Sequence, residues 1–410
     1  MILLRLPLIN KLLLVLYTFF ILVRGFSSID IIGPQWLYLS IINGLVLLYL
    51  FFTSQLNTSF FKYKQTFAYC SFLLICIISI FWSKFYNYTL LDLGRVFTTF
   101  LMCFNIFSLL KCLHKPFRFI SYLMIVFLTI EVFYSLNGLL KVFMENSFFI
   151  KLTKIDSTVF KGLSANPNIT AASLVFKFPF ILYFLFQGKS FQKAYIIILS
   201  FFYFLLLSFL ASRASFLSLL LQGFLFIFFY RKKYKSLLII AIMLLIPFLA
   251  SYLYVEVYNK IPNGIDQLAS IRIENDSSSN RFYLWSHTID YLLEHPFGCG
   301  FGNWKIESIP YWKDMGSSYQ VPYHAHNDFL EIFAETGFLG GFAYLFIFIF
   351  ILFNLIKKLI NKVPLMPFIF LLFVSYSIDA FFNFPLERTV MQFLFSIMFV
   401  LTLLPLHNEK

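Results

Sequence analysis

Long apolar stretches recur along the whole chain, and they decide what it can fold into. About twelve of them reach the roughly 17 to 25 residues that a helix needs to cross the hydrocarbon of a bilayer. A helix also satisfies its own backbone polar groups there. The sequence therefore predicts an all-α polytopic integral membrane protein. The expected spans are 6–23, 36–52, 67–82, 90–110, 119–143, 169–186, 194–210, 214–230, 236–255, 338–356, 364–383 and 390–405.

Composition excludes the other classes of protein. Hydrophobic residues make up 60% of the chain and charged residues only 12%, which lies far outside the range of soluble domains. Sixteen Gly and fourteen Pro are too few for a collagen-like or disordered chain. The net charge of +13 does not indicate a nucleic-acid partner, because excess Lys and Arg in a polytopic protein usually collects in cytoplasmic loops.

The distribution of basic residues orients the chain. With the N-terminus inside, the inner segments carry seventeen Lys and Arg residues and the short outer loops carry four. Since positive charge marks the cytoplasmic side, we expect both termini in the cytoplasm. Two longer segments, 144–168 and 256–337, then face outward, without direct access to cytosolic nucleotides. The four outer residues are Arg24, Lys84, Arg213 and Arg388.

Three successive segments organise the chain. Residues 1–255 are expected to form a bundle of about nine membrane helices, 256–337 a large periplasmic loop with amphipathic helices, and 338–410 about three more membrane helices. No small-residue cleavage site precedes Arg24, so the first helix is expected to be retained. Four of the five cysteines lie in or at the ends of apolar segments, so no disulfide framework is expected.

A polar run from His324 to Asp328 closes the long outer loop and begins a helical pattern. Acidic residues recur at 328, 331 and 335 with apolar residues on the other side, which predicts an amphipathic helix over 326–336 at the membrane surface. Gly337 is expected to end it. The imidazole of His326 can accept a hydroxyl proton near neutral pH, although a His at a helix start is often a cap or a surface residue.

Two patterns near this loop are compatible with a metal site, and neither is specific. His324 and His326 are two residues apart, which suits a loop better than a helix face, and no third ligand follows at a fixed spacing. Glu274-Asn275-Asp276 has the acid-x-acid spacing of many metal-dependent sugar transferases, but the serines that follow indicate an exposed loop. We therefore expect no metal and no other cofactor.

Two arginines outside the membrane are expected at the starts of helices. Arg213 lies in a very short outer loop, and Arg281 follows Ser and Asn residues suited to N-capping. The helix macrodipole disfavours a cation there, so helix stability explains neither residue. Guanidinium groups and backbone N–H groups together bind phosphate well, and two such sites suit a diphosphate. The alternative is a salt bridge to loop acids or lipid headgroups.

Three further features are less specific. The Gly-rich run 296–302 follows no strand, so it predicts a tight turn rather than a dinucleotide site. Residues 166–168, Asn-Pro-Asn, predict the start of the sixth span, with Asn as its cap. Asp92, Arg95 and Asp379 are costly in hydrocarbon, so they either pair within the protein or belong to a substrate path.

The segment from His326 to Gly340 carries the most specific pattern. His326-Asn327, nine further residues and then Gly337-x-x-Gly340 are similar to the His-(Asn/Ser/Gln)-x9-Gly-x-x-Gly signature of O-antigen ligases. With Arg213, Arg281, about twelve spans and one long late outer loop, the chain resembles the O-antigen ligase and polymerase superfamily. These are membrane glycosyltransferases that use polyprenyl-diphosphate-linked glycans, and the resemblance implies a GT-C-like fold.

The resemblance implies a role for each matched residue. His326 would be the general base that activates an acceptor hydroxyl. Arg213 and Arg281 would bind the diphosphate of the donor and stabilise the leaving group, so the reaction would need no metal and would invert the anomeric carbon. We expect His324 and Asn327, which flank His326 closely, to contact the substrate as well.

The resemblance also implies a substrate class, with the subfamily open. The length of the chain and the x9 spacing favour a ligase of lipopolysaccharide biosynthesis. Such an enzyme would transfer a glycan from undecaprenyl diphosphate to a lipid A-core sugar at the periplasmic face of the inner membrane. The alternatives are a polymerase that joins repeat units on the carrier and an enzyme that glycosylates protein. A flippase, from a different class, is disfavoured because no internal repeat is visible.

Overall fold

A computed structural model describes residues 2–23, 32–145, 157–164, 166–210, 212–231, 276–312 and 323–406. Within these ranges the chain is helical and contains no strand, which confirms the predicted all-α polytopic membrane fold. The helices are α1 (Ile2–Thr18), α2 (Ile32–Phe52), α3 (Lys64–Ile78), α4 (Tyr86–Lys111), α5 (Pro116–Glu145), α6 (Pro167–Gln187), α7 (Ser190–Leu210), α8 (Arg213–Tyr230), α9 (Asp276–Glu294), α10 (Trp304–Glu307), α11 (Asp328–Ile360), α12 (Met366–Phe382) and α13 (Thr389–Leu403).

The membrane spans follow the apolar stretches of the sequence. Eight helices in the described ranges are long and apolar enough to cross a bilayer, and three shorter apolar helices are 6–22, 366–382 and 389–403. Together they account for eleven of the twelve expected spans. The remaining expected span, 236–255, lies outside the described residues. The start of α6 is also as predicted, because Asn166 Oδ1 accepts from Asn168 N at 2.9 Å and Pro167 is the first helical residue.

The chain divides into two compact units. The first comprises Met1–His114, Ile273–Asn361 and Ser377–Pro405, and the second comprises Lys115–Arg272, Lys362–Tyr376 and Leu406–Lys410. In the first unit, α11 packs against α3 and α9, and α4 packs against α2 and α13. Phenylalanine fills its core: the fully buried ring of Phe60 contacts five others. These are Phe61, Phe100, Phe104, Phe107 and Phe399.

The second unit contains a buried ion pair. Lys177 of α6 is fully buried, and its Nζ donates to Glu131 Oε2 of α5 at 2.6 Å. Ser173 Oγ donates to the other carboxylate oxygen at 2.8 Å. Charges inside a membrane bundle are costly unless they are paired and hydrogen-bonded, and both conditions are met here.

A sharp turn in the first unit joins the Gly-rich run to α11. Gly337 has a φ of 69° and a ψ of −170°, so it interrupts the helix, as the sequence predicted. Pro296 O accepts from Phe338 N at 3.1 Å, and Cys299 N donates to Ala334 O at 3.0 Å. The predicted tight turn therefore caps the segment 328–336 and separates it from the membrane-spanning part of α11.

Candidate active site

His326 lies directly before α11 in a constrained backbone. Its φ of 52° falls in the left-handed region, which a residue with a side chain rarely adopts outside functional or tightly held sites. Both backbone groups of the preceding residue are held: Ala325 N donates to Glu331 Oε2 at 2.8 Å, and Trp285 Nε1 of α9 donates to Ala325 O at 3.0 Å. The fold thereby positions the imidazole of His326.

His324 lies between two carboxylates. Its Nδ1 is 2.9 Å from Glu331 Oε1, and its Nε2 is 3.4 Å from Glu387 Oε2. The ring stacks on Phe384 with centroids 4.1 Å apart. Although burial opposes the charged form, Glu331 and Glu387 raise the pKa of His324 above its ordinary value. The two carboxylates therefore favour the protonated form of His324.

His326 has the opposite electrostatic environment. Burial, followed by the positive charges of Arg281, His324 and Arg388, lowers the pKa of His326 to about 4. Its Nδ1 is buried without a hydrogen-bond partner among the described residues, and its ring meets Phe384 edge-on at 5.1 Å. A neutral imidazole with such a nitrogen can accept a proton at neutral pH. The pKa values of two histidines in nearly the same place are thus shifted in opposite directions, as is typical of paired groups with distinct roles.

An ion network next to His324 contains two of the three residues that were costly in hydrocarbon, Asp92 and Arg95. Arg95 Nη1 donates to Asp92 Oδ1 at 2.8 Å, and Lys305 Nζ donates to Asp92 Oδ2 at 3.0 Å and to Glu387 Oε1 at 3.2 Å. Although burial opposes it, His324, Lys305 and Arg95 lower the pKa of Glu387 to about 2. Asp92 and Arg95 therefore pair within the protein, which is one of the two arrangements that the sequence left open.

The acidic face of 328–336 is turned into the protein. Asp328, Glu331 and Glu335 are only 3%, 7% and 4% exposed, although a surface amphipathic helix ordinarily directs its acids to water. Interior donors compensate this burial: Leu386 N donates to Asp328 Oδ2 at 3.0 Å, and Trp304 N donates to Glu335 Oε1 at 3.3 Å. The helix itself begins at Asp328, two residues later than predicted, with Asn327 as its cap.

A small cavity of about 20 Å³, which is room for about one water molecule, lies among these acids. Arg95 and five carboxylates line it: Asp92, Asp328, Glu331, Glu335 and Glu387. Within the described residues, one group has donor atoms close enough for a metal ion, namely His324, Glu331 and Glu387, whose ligand atoms lie within 4.8 Å of one another. Lys305 and Arg95 already contact the Glu387 carboxylate of this group.

Arg281 lies in the first unit, as His326 does, but it is not at the start of a helix. The sequence predicted an N-terminal position, whereas α9 begins at Asp276 and Arg281 is its sixth residue. Asp276 is the better first residue, because the macrodipole favours an acid there. The guanidinium carbon of Arg281 lies 5.9 Å from the Phe382 ring centroid, and its charge acts on both His326 and Asp379. The charge of Arg281 thus influences His326, and a shared substrate site remains a prediction.

Arg213 begins α8 in the second unit, as predicted from its short loop. Ser212 has extended dihedral angles and precedes the first helical residue, but its side chain makes no capping hydrogen bond to the backbone. Ser215 Oγ instead donates to Ser212 Oγ at 3.1 Å. The role of Arg213 in donor binding remains a prediction.

Comparison with protein families identifies the central part of the chain. Residues 196–345 match the family model described as O-antigen ligase. That segment is similar to the O-antigen ligase domain. The resemblance to the O-antigen ligase and polymerase superfamily is thereby confirmed, and the match implies a membrane enzyme of the ligase or polymerase type. No curated protein matches the sequence.

The segment that matches the O-antigen ligase family includes Arg213, Arg281 and His326 together with the Gly337-x-x-Gly340 turn. Asn327, also within it, has a structural role, because its Oδ1 accepts from Leu330 N at 3.2 Å and so caps α11. Contacts of Asn327 and His324 with substrate remain predictions.

Sequence reasoning missed four residues around the segment that matches the O-antigen ligase family. Lys305 and Glu387 complete the ion network, while Phe384 and Arg388 lie beside His326. Three of these follow the matched segment in the chain and join it only through tertiary packing. A weak signal existed for Arg388, which is one of the four basic residues predicted for the short outer loops.

Proposed function

We propose that this protein is an O-antigen ligase-type glycosyltransferase. It transfers a glycan from undecaprenyl diphosphate to a sugar hydroxyl of lipid A-core, at the periplasmic face of the inner membrane and with both termini in the cytoplasm. The observation that carries the proposal is the rigidly held His326 of lowered pKa, which the charge of the Arg281 guanidinium influences, within the segment that matches the O-antigen ligase family. The imidazole can accept a proton and the guanidinium can bind an anion, as this reaction requires.

His326 is the general base in this proposal. The acceptor hydroxyl gives its proton to the imidazole as its oxygen attacks the anomeric carbon of the donor sugar. A new carbon–oxygen bond forms, the bond to the diphosphate oxygen breaks, and attack from the opposite side inverts the anomeric configuration. The electron pair of the broken bond leaves with the diphosphate.

Arginine side chains bind that leaving group. Guanidinium donors stabilise the negative charge that develops on the diphosphate as it leaves. Electrostatic stabilisation of this kind is usually the largest contribution to catalysis. In the proposal Arg281 supplies one of them and Arg213 a second, with His324 and Asn327 next to the reacting groups. Burial and the positive charges around His326 lower its pKa, so a bound diphosphate would offset the effect of those charges and make the imidazole a stronger base when the donor is present.

Reconstitution in proteoliposomes tests the function. Purified protein is supplied with a polyprenyl-diphosphate-linked glycan and with either lipid A-core or a second carrier-linked repeat unit. We expect transfer to lipid A-core, and we expect His326→Ala to abolish it while Lys84→Ala, which removes an exposed surface cation, leaves it intact. Transfer only to a carrier-linked repeat would replace the ligase assignment by a polymerase. Passage of the glycan across the bilayer without a new glycosidic bond would indicate a flippase.

A further inference from the structure

The short segment that joins α12 to α13 lies next to both histidines of the candidate site. Phe384 precedes a single helical turn, Pro385–Glu387, and Arg388 is then the N-cap residue of α13. We call this segment the 384–388 turn. It follows the matched residues 196–345, so the family match says nothing about it. Its role is therefore inferred from its contacts.

Three helices hold the 384–388 turn in place. Leu386 N donates to Asp328 Oδ2 of α11 at 3.0 Å. Pro385 O accepts from Gln392 Nε2 of α13 at 3.0 Å. The carbonyl at the end of the helical turn accepts from Trp36 Nε1 of α2 at 3.2 Å. Since these bonds lie just after the first residue of the segment, the side chain of that residue starts from a fixed backbone.

This first side chain packs against both histidines. The ring of Phe384 stacks on His324, with centroids 4.1 Å apart and an angle of 15° between the planes. The same ring meets His326 edge-on, with centroids 5.1 Å apart and an angle of 73°. Edge-to-face packing is one of the arrangements that aromatic rings prefer. One phenylalanine thus contacts two imidazoles in two different geometries.

Filling of the core does not explain Phe384. Its side chain is half-buried, whereas a ring at the centre of the first unit, such as that of Phe60, is fully buried. The ring of Phe384 also lies 4.5 Å from the guanidinium carbon of Arg388. An aromatic face attracts a cation and packs against other flat rings, which an aliphatic side chain of similar size does not do. The neighbours of Phe384 therefore favour an aromatic residue at this position.

The backbone alone does not orient the imidazole of His326. The φ of 52° and the two hydrogen bonds of Ala325 fix the position of its backbone, but they leave rotation about the side-chain bonds free. Its Nδ1 makes no hydrogen bond within the ranges that the structure describes. The edge-on contact with Phe384 is lost if the imidazole turns flat against that ring or away from it. Packing against Phe384 therefore selects an orientation of the imidazole.

We propose that Phe384 is a positioning residue for the general base: by packing against His326 it holds the imidazole in the orientation that accepts the proton of the acceptor hydroxyl. The inference rests on the proposed function and deepens it. Phe384 has no group that accepts or donates a proton, so its effect passes through His326. Proton transfer requires the base within hydrogen-bond reach of the hydroxyl, which makes the rate sensitive to the orientation of the ring.

Kinetics of the reconstituted protein test the inference. Phe384→Leu keeps an apolar side chain and removes the ring. We expect it to lower kcat about 10-fold, which is less than the roughly 100-fold cost of moving a catalytic group by about 1 Å. The KM for the donor should stay the same, because the ring orients the base and binds no donor. Phe384→Tyr keeps the ring and should retain most of the wild-type kcat.

Phe61→Leu is the matched control, because Phe61 is an exposed phenylalanine of the same unit that packs against other rings. An unchanged kcat in Phe384→Leu would overturn the inference, and so would an equal loss of kcat in Phe61→Leu. If Phe384→Leu does not fold, Phe384→Met, which also replaces the ring by a flexible apolar chain, decides by the same criteria.

Histidine labelling gives a readout that requires no turnover. The full chain, with isotope-labelled ring nitrogens in its six histidines, is placed in lipid nanodiscs for NMR, and the His326 signals are identified by their loss in His326→Ala. We expect these signals to broaden or split in Phe384→Leu, because the imidazole then samples more than one orientation. A variant that only loosens the fold would also change the signals of His114, beyond the C-terminal end of α4. Single sharp His326 signals in Phe384→Leu would count against the positioning role.

The two readouts distinguish the two levels of the proposal. If the wild-type protein transfers glycan to no acceptor but the His326 signals broaden in Phe384→Leu and not in Phe61→Leu, the proposed function fails and the positioning of the imidazole stands. If transfer occurs and Phe384→Leu keeps both the wild-type kcat and sharp His326 signals, the function stands and the inference fails.

Discussion

Glu331 is expected to set the position of His326, and Glu331→Gln tests this. One carboxylate oxygen accepts from Ala325 N at 2.8 Å and the other contacts His324 Nδ1 at 2.9 Å. A glutamine retains one acceptor and directs an NH2 group at the other donor. One charge-assisted hydrogen bond is therefore lost and a donor faces a donor, which costs about 3 kcal/mol locally.

This local cost falls on the backbone before His326. Because one glutamine oxygen cannot accept from both Ala325 N and His324 Nδ1, the left-handed conformation at His326 is held less firmly. A displacement of about 1 Å of a catalytic group lowers a rate roughly 100-fold. We therefore expect Glu331→Gln to lower kcat by about 10-fold to 100-fold, with the KM for the donor nearly unchanged because Arg281 remains.

The assay is transfer of a labelled glycan by the reconstituted protein, with kcat and KM separated by varying the donor. Glu307→Gln is the matched control: Glu307 pairs with the exposed Lys84, and such a surface pair is worth about 0 to 1 kcal/mol. The double variant His326→Ala, Glu331→Gln should have the same kcat as His326→Ala alone, because both substitutions act on the same step. Equal kinetics for Glu331→Gln and Glu307→Gln would refute the positioning role.

Three further predictions concern pH, a glycine and the buried ion pair. With a pKa of about 4 for His326, kcat/KM at pH 5 should retain about 90% of its plateau, against about 3% for a histidine of pKa 6.5; a pH–rate profile decides. Gly302→Ala should lower the Tm in detergent, because Gly302 has a φ of 77° and a β-carbon there would lie 2.5 Å from a carboxylate oxygen, whereas Gly44→Ala, with no atom within 4 Å, should not. Lys177→Met should destabilise the protein by about 3 to 5 kcal/mol by leaving Glu131 unpaired, and adding Glu131→Gln should restore most of the Tm; an unchanged Tm in the single variant contradicts this.

The helices were predictable because hydrocarbon thickness constrains every span in the same way. Apolar length alone located eleven helices, and local rules located the cap at Asn166, the break at Gly337 and the helix start at Arg213. Local rules failed at Arg281, because the Ser and Asn residues before it resemble a cap but continue a helix begun at Asp276. Ser and Asn residues also occur inside the first turns of helices, so composition alone did not determine where α9 begins.

The site was only partly predictable because its electrostatics are nonlocal. His326 stood out through its spacing to Gly337 and Gly340, but its lowered pKa depends on burial and on the charges of residues such as Arg281, which tertiary packing brings close. The periodicity of 328–336 showed an acidic face without showing that it is buried. Lys305 and Glu387, which stabilise that face and His324, are separated by 82 residues and carry no shared spacing. Such partners become visible only when the fold brings them together.

Cysteine labelling from one side of the membrane tests the central claim most directly. Arg213→Cys, Arg281→Cys and His326→Cys are each treated in oriented vesicles with a membrane-impermeant maleimide, with the wild-type chain as background for its native thiols. The account predicts that all three label from the periplasmic side and that undecaprenyl diphosphate protects each of them. Labelling of His326→Cys from the cytoplasmic side, while Arg213→Cys and Arg281→Cys label from outside, would contradict a shared centre for the base and its anion-binding arginines.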